Sequence, residues 1–116
     1  MKRAFLICPV RGGRGGESQD DVLRLEQIGY EVHWPPRDTP QNDSVGLEIC
    51  RNNMKAISRA DVVFVVYDEN SKGTHFDLGM AFALKKKIIL IRTLSPDISG
   101  KSFVKVMLAI KNKKTY

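Results

Sequence analysis

The chain has 116 residues, 42% hydrophobic and 28% charged, and a formal net charge of +6. That length fits one domain, residues 1–116, and no apolar run approaches the roughly 20 residues that a membrane span needs. The two cysteines, Cys8 and Cys50, have no metal spacing and imply no disulfide framework; both read as buried thiols.

The opening MKRAFLICPV has too short an apolar part for a secretory signal, so the expected setting is cytoplasmic. Arg3 to Val10 reads as a first strand. RGGRGGES, residues 11–18, follows it and precedes a helix, where α/β proteins hold phosphates. No Gly-Lys-Ser/Thr follows and the glycines miss G-x-G-x-x-G, so a mobile loop with solvated arginines is an equal reading. Arg11, next to the strand end, is the better ligand candidate.

Ser18 is a plausible N-cap, with Asp20 and Asp21 in the first turn, and Val22, Leu25 and Ile28 at helical spacing. Gly29 fits the position just past the helix end. Tyr30 to Trp34 is a second strand, stopped by Pro35 and Pro36. Residues 35–44 form a loop long enough to cover a site, with Trp34 at its base. Asp43 or Ser44 caps the next helix, running to about Arg59. Gly46, Ile49, Cys50, Asn53, Ile57 and Ala60 share one stripe of it. Asn53 is a polar side chain on that apolar stripe; a buried amide needs partners, so it either bonds structurally or faces the site.

Val62 to Val66 is a continuous apolar run, which reads as a strand buried on both faces of a parallel sheet. Asp68, Asn70, Ser71 and Gly73 break it as a loop. Thr74 starts a helix of good formers, and Ile88 to Ile91 is a second buried strand, completing a βαβ crossover. Open α/β sheets bind ligands outside the carboxyl ends of their strands, which puts the site at Asp68 to Asp77. Thr74-x-x-Asp77 alone reads as a near capping box. In the first helical turn, Asp77 would be kept ionised by the helix dipole, as suits a nucleophile or acceptor. Asp68 is a helper candidate or a strand-end turn residue. His75 reads as solvated, and no metal cluster exists in the sequence.

After the fourth strand comes a loop, Thr93 to Gly100, in which Leu94 to Ile98 is a candidate short strand. A last helix, Ser102 to about Asn112, has Phe103, Val106, Met107 and Ile110 as its apolar stripe. The fold expected is a flavodoxin-like or Rossmann-like three-layer α/β domain, with a doubly wound parallel sheet of four or five strands. Lysines concentrate late in the chain, but no aromatic residues interleave with them. A platform for single-stranded nucleic acid is thus unsupported, and the charge fits a phosphorylated small molecule or a solvated surface.

A-D-V-V followed by S-x-G-T-x-x-D-x-G-M-A-x-A-L-x-K, residues 60–86, resembles the nucleoside 2-deoxyribosyltransferase superfamily. Together with VRGG at 10–13 it looks closest to the branch that hydrolyses the N-glycosidic bond of nucleoside 5′-monophosphates. The resemblance implies that Asp77 is the catalytic carboxylate, attacking the anomeric carbon. It implies that Asn53 stands where the family has an Asp that contacts substrate or aids protonation of the base. Ser71 matches a ligand-binding hydroxyl, and Arg11, Gly12 and Gly13 match the loop near the sugar or phosphate. Cys8, Val10, Gly73 and Thr74 complete the expected substrate contacts. The family's nucleophile is normally Glu, one methylene longer than Asp77, and an Asn at 53 cannot titrate as an acid. No cofactor is implied. The expected partners are a nucleoside or nucleotide and a second copy of the chain, as a homodimer or higher even-numbered assembly. Two other readings use the same fold. One is a non-catalytic nucleotide-binding sensor. The other is a receiver-like domain, which needs an acidic pair where Cys8-Pro9-Val10 stands.

Overall fold

A computed structural model describes residues 1–9, 18–94 and 102–111. Its elements run β1 (Lys2–Ile7), α1 (Gln19–Gln27), β2 (Tyr30–His33), α2 (Pro35–Asp38), α3 (Leu47–Arg59), β3 (Val62–Tyr67), α4 (Lys72–Ala83), β4 (Ile88–Thr93) and α5 (Phe103–Lys111). The four strands form one all-parallel sheet in the order β2-β1-β3-β4, a flavodoxin-like or Rossmann-like fold. The chain winds outward from β1 on one side and from β3 on the other. The switch point therefore lies between their carboxyl ends.

The apolar pattern explains the layers. Every residue of β3 is buried, as its unbroken run requires. Phe5, Ile7, Val63, Val65 and Tyr67 point to one face, where Ile57 of α3, Leu78 and Ala81 of α4 and Met107 of α5 cover them. Ala4, Leu6, Val62, Phe64 and Val66 point to the other, against Val22 and Leu25 of α1 and Trp34. Three layers result. No described helix is long and apolar enough to cross a membrane.

Several expectations need correction. β4 runs to Thr93 and buries only Ile88, because it edges the sheet among the described residues. A register shift opposite Val65 and Val66 carries Arg92 to a 2.9 Å ion pair with buried Asp21. Pro35 to Asp38 is a helical turn rather than loop: Pro is preorganised for an opening turn, and Asp38 accepts from the Trp34 amide. In α5 the face packed on the core is Val104, Met107 and Ile110, while Phe103 and Val106 are exposed. The candidate strand over Leu94 to Ile98 lies largely outside the described residues; Leu94 donates its amide to Tyr67.

Candidate active site

At the switch point the ends of β1 and β3 and the starts of α3 and α4 enclose a cavity of about 660 Å³. Cys8 and Pro9 come from the end of β1, and Asp68, Asn70, Ser71, Lys72, Gly73, Phe76 and Asp77 from the end of β3 and from α4. Gly46, Ile49, Cys50 and Asn53 come from α3, and Pro35 and Gln41 from the segment after β2. The α3 stripe thus divides its work. Its first half lines the cavity and its second half, through Ile57, enters the core.

Local chemistry sets the α4 entrance. Asp68, buried at the end of β3, accepts from the Asn70 amide at 3.0 Å, and its carbonyl accepts from Ser71. This is an Asx turn, and it aims the chain into the helix. Ser71 is the N-cap: its Oγ accepts from the Thr74 amide at 3.2 Å. The capping role expected of the Thr74–Asp77 pair therefore falls one turn earlier. Thr74 is fully buried beneath the turn and does not line the cavity. Its side-chain oxygen has no hydrogen-bond partner among the described residues. Gly73 does line it, and a Cβ there would meet nothing within 4 Å.

With the helix starting at Lys72, Asp77 is its sixth residue, beyond the first turn. The expectation that the dipole keeps Asp77 ionised is overturned on that ground, since the dipole acts within the first turn. Burial dominates instead and pushes the Asp77 carboxyl up to about 7, against a hydrogen bond from Asn53 that lowers it. That bond runs from Asn53 Nδ2 to Asp77 Oδ2 at 3.3 Å, and Asn53 Oδ1 accepts from the Thr39 hydroxyl at 2.8 Å. Asn53 both bonds structurally and faces the site. Burial pushes the Cys8 thiol up, against the Ser18 and Trp34 groups beside it, with the Asp77 and Asp21 charges adding to the rise.

His75 is not solvated. Its Nδ1 donates to the Ser71 carbonyl at 2.7 Å, leaving Nε2 to accept from the Tyr67 hydroxyl at 2.9 Å. This places it outside the cavity lining. Val10, Arg11, Gly12 and Gly13 lie outside the described residues. Lys72 and Phe76 fall within the stretch Asp68 to Asp77, and Thr39 and Gln41 within the loop 35–44, but none of the four was singled out. For Phe76 the signal was a large aromatic directly after the polar residues that open the helix; Thr39 and Gln41 sit in a segment with no periodicity. No described group of three or more His, Cys, Asp or Glu is placed to hold a metal ion.

Residues 18–109 match the family model described as nucleoside 2-deoxyribosyltransferase. The chain belongs to that family. Among solved structures it is similar to the CMP N-glycosidase BcmB of Clostridium botulinum, at 25% identity and a TM-score of 0.62, over 96% of this chain and 84% of that one. It is also similar to a 2-deoxyribosyltransferase from the psychrotolerant bacterium Bacillus psychrosaccharolyticus, at 18% identity and a TM-score of 0.66, over 98% of each chain. At 18% identity the likeness speaks to fold alone. Comparison with curated proteins gives no match. As a nucleoside 2-deoxyribosyltransferase family member, the chain pairs an amide with its carboxylate at the cavity wall, Asn53 against Asp77.

Proposed function

We propose that this protein cleaves the N-glycosidic bond of nucleoside 5′-monophosphates, by hydrolysis rather than transfer, with Asp77 as the nucleophile. The observation that carries this reading is the Asp77 carboxylate, partly buried in a nucleotide-sized cavity at the sheet's switch point and held by an amide. Family membership and the likeness to a CMP N-glycosidase support the class of bond.

The chemistry follows from the groups present. Loss of the base gives the sugar oxocarbenium character, which a carboxylate beneath the anomeric carbon stabilises. An Asp77 oxygen bonds to that carbon as the carbon–nitrogen bond breaks. The electron pair leaves with the base, which takes a proton from solvent, because Asn53 has no acidic proton to give. Water then attacks the same carbon as its bond to the Asp77 oxygen breaks and gives a proton to solvent, releasing the sugar phosphate and the Asp77 carboxylate. Asp68, which lines the same cavity, is the candidate helper for the base or the water. Ile49, Cys50 and Phe76 give an apolar wall for the base. Ser71, Lys72 and the start of α4 favour an anion, with Arg11, Gly12 and Gly13 proposed on the phosphate side. The working unit proposed is a homodimer or larger even-numbered assembly.

The absence of a titratable acid at position 53 favours a second reading, a nucleotide binder without turnover. Incubation with a panel of nucleosides and monophosphates, read by chromatography for free base, separates the two. Release by wild type, with a loss of about a hundredfold or more in Asp77→Asn, is the expected result. Binding without release in wild type, and release by Asp77→Glu, would establish the binder.

A further inference from the structure

Thr39 ends α2 and is 2% exposed, and the mechanism above gives it no task. Its hydroxyl donates to Asn53 Oδ1 at 2.8 Å and lies 2.7 Å from His33 Nε2. A hydroxyl has one proton. With that proton on Asn53, Thr39 accepts from His33, so Nε2 carries a hydrogen. The bonds then run one way, from His33 Nε2 to Thr39, from Thr39 to Asn53 Oδ1, and from Asn53 Nδ2 to Asp77 Oδ2. The line is anchored at His33 and at Thr39. The His33 ring stacks on fully buried Phe5, with centroids 5.3 Å apart and planes 8° from parallel. The Thr39 amide donates to the Pro35 carbonyl, and Gln41 bonds the Thr39 carbonyl at 2.9 Å.

An amide is nearly symmetric in shape but not in hydrogen bonding. Turned through 180°, Asn53 would set its oxygen against Asp77, an arrangement that only a protonated Asp77 tolerates. Packing does not distinguish the two orientations. The group at the far end of the amide does, and that group is Thr39. Thr39 by itself would donate or accept equally well. A hydrogen on His33 Nε2, the tautomer that the Thr39–Asn53 bond requires, leaves Thr39 to donate only to Asn53.

We propose that Thr39, held by His33, is a positioning residue that fixes the Asn53 amide with its NH2 toward the Asp77 carboxylate. The consequence for the reaction rests on the reading of Asp77 as nucleophile: a fixed NH2 favours the ionised form that attacks the sugar. Among the described residues the other charged or titratable groups near Asp77 are Cys8, Cys50, Asp68 and Lys72, all lining the same cavity. Those near His33 are Asp38 and Arg37, with Arg3, Glu26, Glu31 and Arg59 lining the cleft of about 470 Å³ that His33 borders. Each of these groups is unchanged by the substitutions below.

The test is carbon-13 NMR titration of the Asp77 carboxyl in the intact chain, assigned by its disappearance in Asp77→Asn. Thr39→Val keeps the shape and removes the hydroxyl; Thr39→Ser restores it. The Asp77 midpoint is expected to rise by about half a pH unit or more in Thr39→Val and to return to the wild-type value in Thr39→Ser. His33→Phe keeps a ring against Phe5 and removes the donor. It should move the midpoint in the same direction, and it serves alone if Thr39→Val does not fold. The midpoint of the kcat/KM pH profile should move with the NMR midpoint. An unchanged midpoint in Thr39→Val, or a raised one that Thr39→Ser fails to restore, overturns the proposal. The titration needs no turnover, so the two readings fail separately. A shifted midpoint in a protein that releases no base supports the positioning role and removes the nucleophile reading. Base release with no shift removes the positioning role alone.

Discussion

A carboxyl raised from 3.8 to about 7 by burial holds a proton in the folded protein that it gives up in the unfolded chain. The stability this group contributes is therefore fully present below the unfolded value and is lost as pH rises to about 7. Above that, the ionised group costs the fold up to about 4 kcal/mol, at about 1.36 kcal/mol for each pH unit between the two values. Asp77→Asn removes the cost. By urea denaturation the variant should be more stable than wild type at pH 8, by about 1 to 4 kcal/mol, with the gap closing below about pH 4. A capping Asp would give the opposite result, a loss of about 1 kcal/mol. Stability gained while turnover falls is the mark of a residue kept for chemistry. On the proposed reading of Asp77 as nucleophile, which must be ionised to attack, wild-type kcat/KM should correspondingly rise with pH through about 7. The pattern S-x-G-T-x-x-D made Asp77 legible as a site residue. Its ionisation was not, because that depends on where the helix starts and on what encloses it. Asn53 was legible as a polar break in an apolar stripe. Thr39 was not, because its role exists only where a loop after β2 meets α3.

At the scale of elements, two helices end alike and differ at one residue. After α1, Gly29 takes φ +107°, and after α4, Lys85 takes φ +56°. Both angles are left-handed, where a Cβ crowds the backbone and glycine does not. Lys85 is exposed, and its amide donates to the Phe82 carbonyl, a bond that glycine retains. Lys85→Gly should stabilise the fold by about 0.5 to 1 kcal/mol, the strain relieved outweighing the added freedom of the unfolded chain. Differential scanning calorimetry should show a melting point a few degrees higher. A lower one would mean that the Lys85 side chain makes a contact worth more than the strain. The neighbouring Lys86 is a different case, since its Nζ bonds the Ser58 and Ala60 carbonyls and closes the end of α3. The glycine after α1 was readable because glycine announces that conformation. The lysine after α4 was not, because nothing in its chemistry does. β1, β2, β3 and their helices were readable from apolar runs and helical spacing. The packed face of α5 was misjudged by about one position, because a short helix with apolar residues on most sides gives its spacing little power to choose a face.

At the scale of the molecule, the exposed apolar side chains are unevenly shared. Leu23 and Ile28 are exposed on the α1 side. The layer of α3, α4 and α5 exposes Leu47, Met54, Phe76, Phe82, Phe103, Val106 and Leu108, most of them about half. A layer this apolar is what a second copy of the chain would bury, and closed twofold assembly is the commonest arrangement of identical chains. Phe76 ties the surface to the chemistry, because it is 56% exposed and also lines the cavity. A partner seated on this layer would then cover part of the cavity mouth and exclude water from the base. Light scattering at micromolar concentration should give twice the 13.1 kDa of one chain. Phe82→Asp lies outside the cavity lining and places a charge on the same layer, so it should shift the mass toward one chain. Specific activity should fall on dilution in wild type as the dimer separates, and should already be low in Phe82→Asp at every concentration. A single-chain mass at all concentrations would show that α3, α4 and α5 face solvent and that one chain encloses the substrate by itself. A dimer whose activity does not change on dilution through dissociation would keep the interface and separate it from the site.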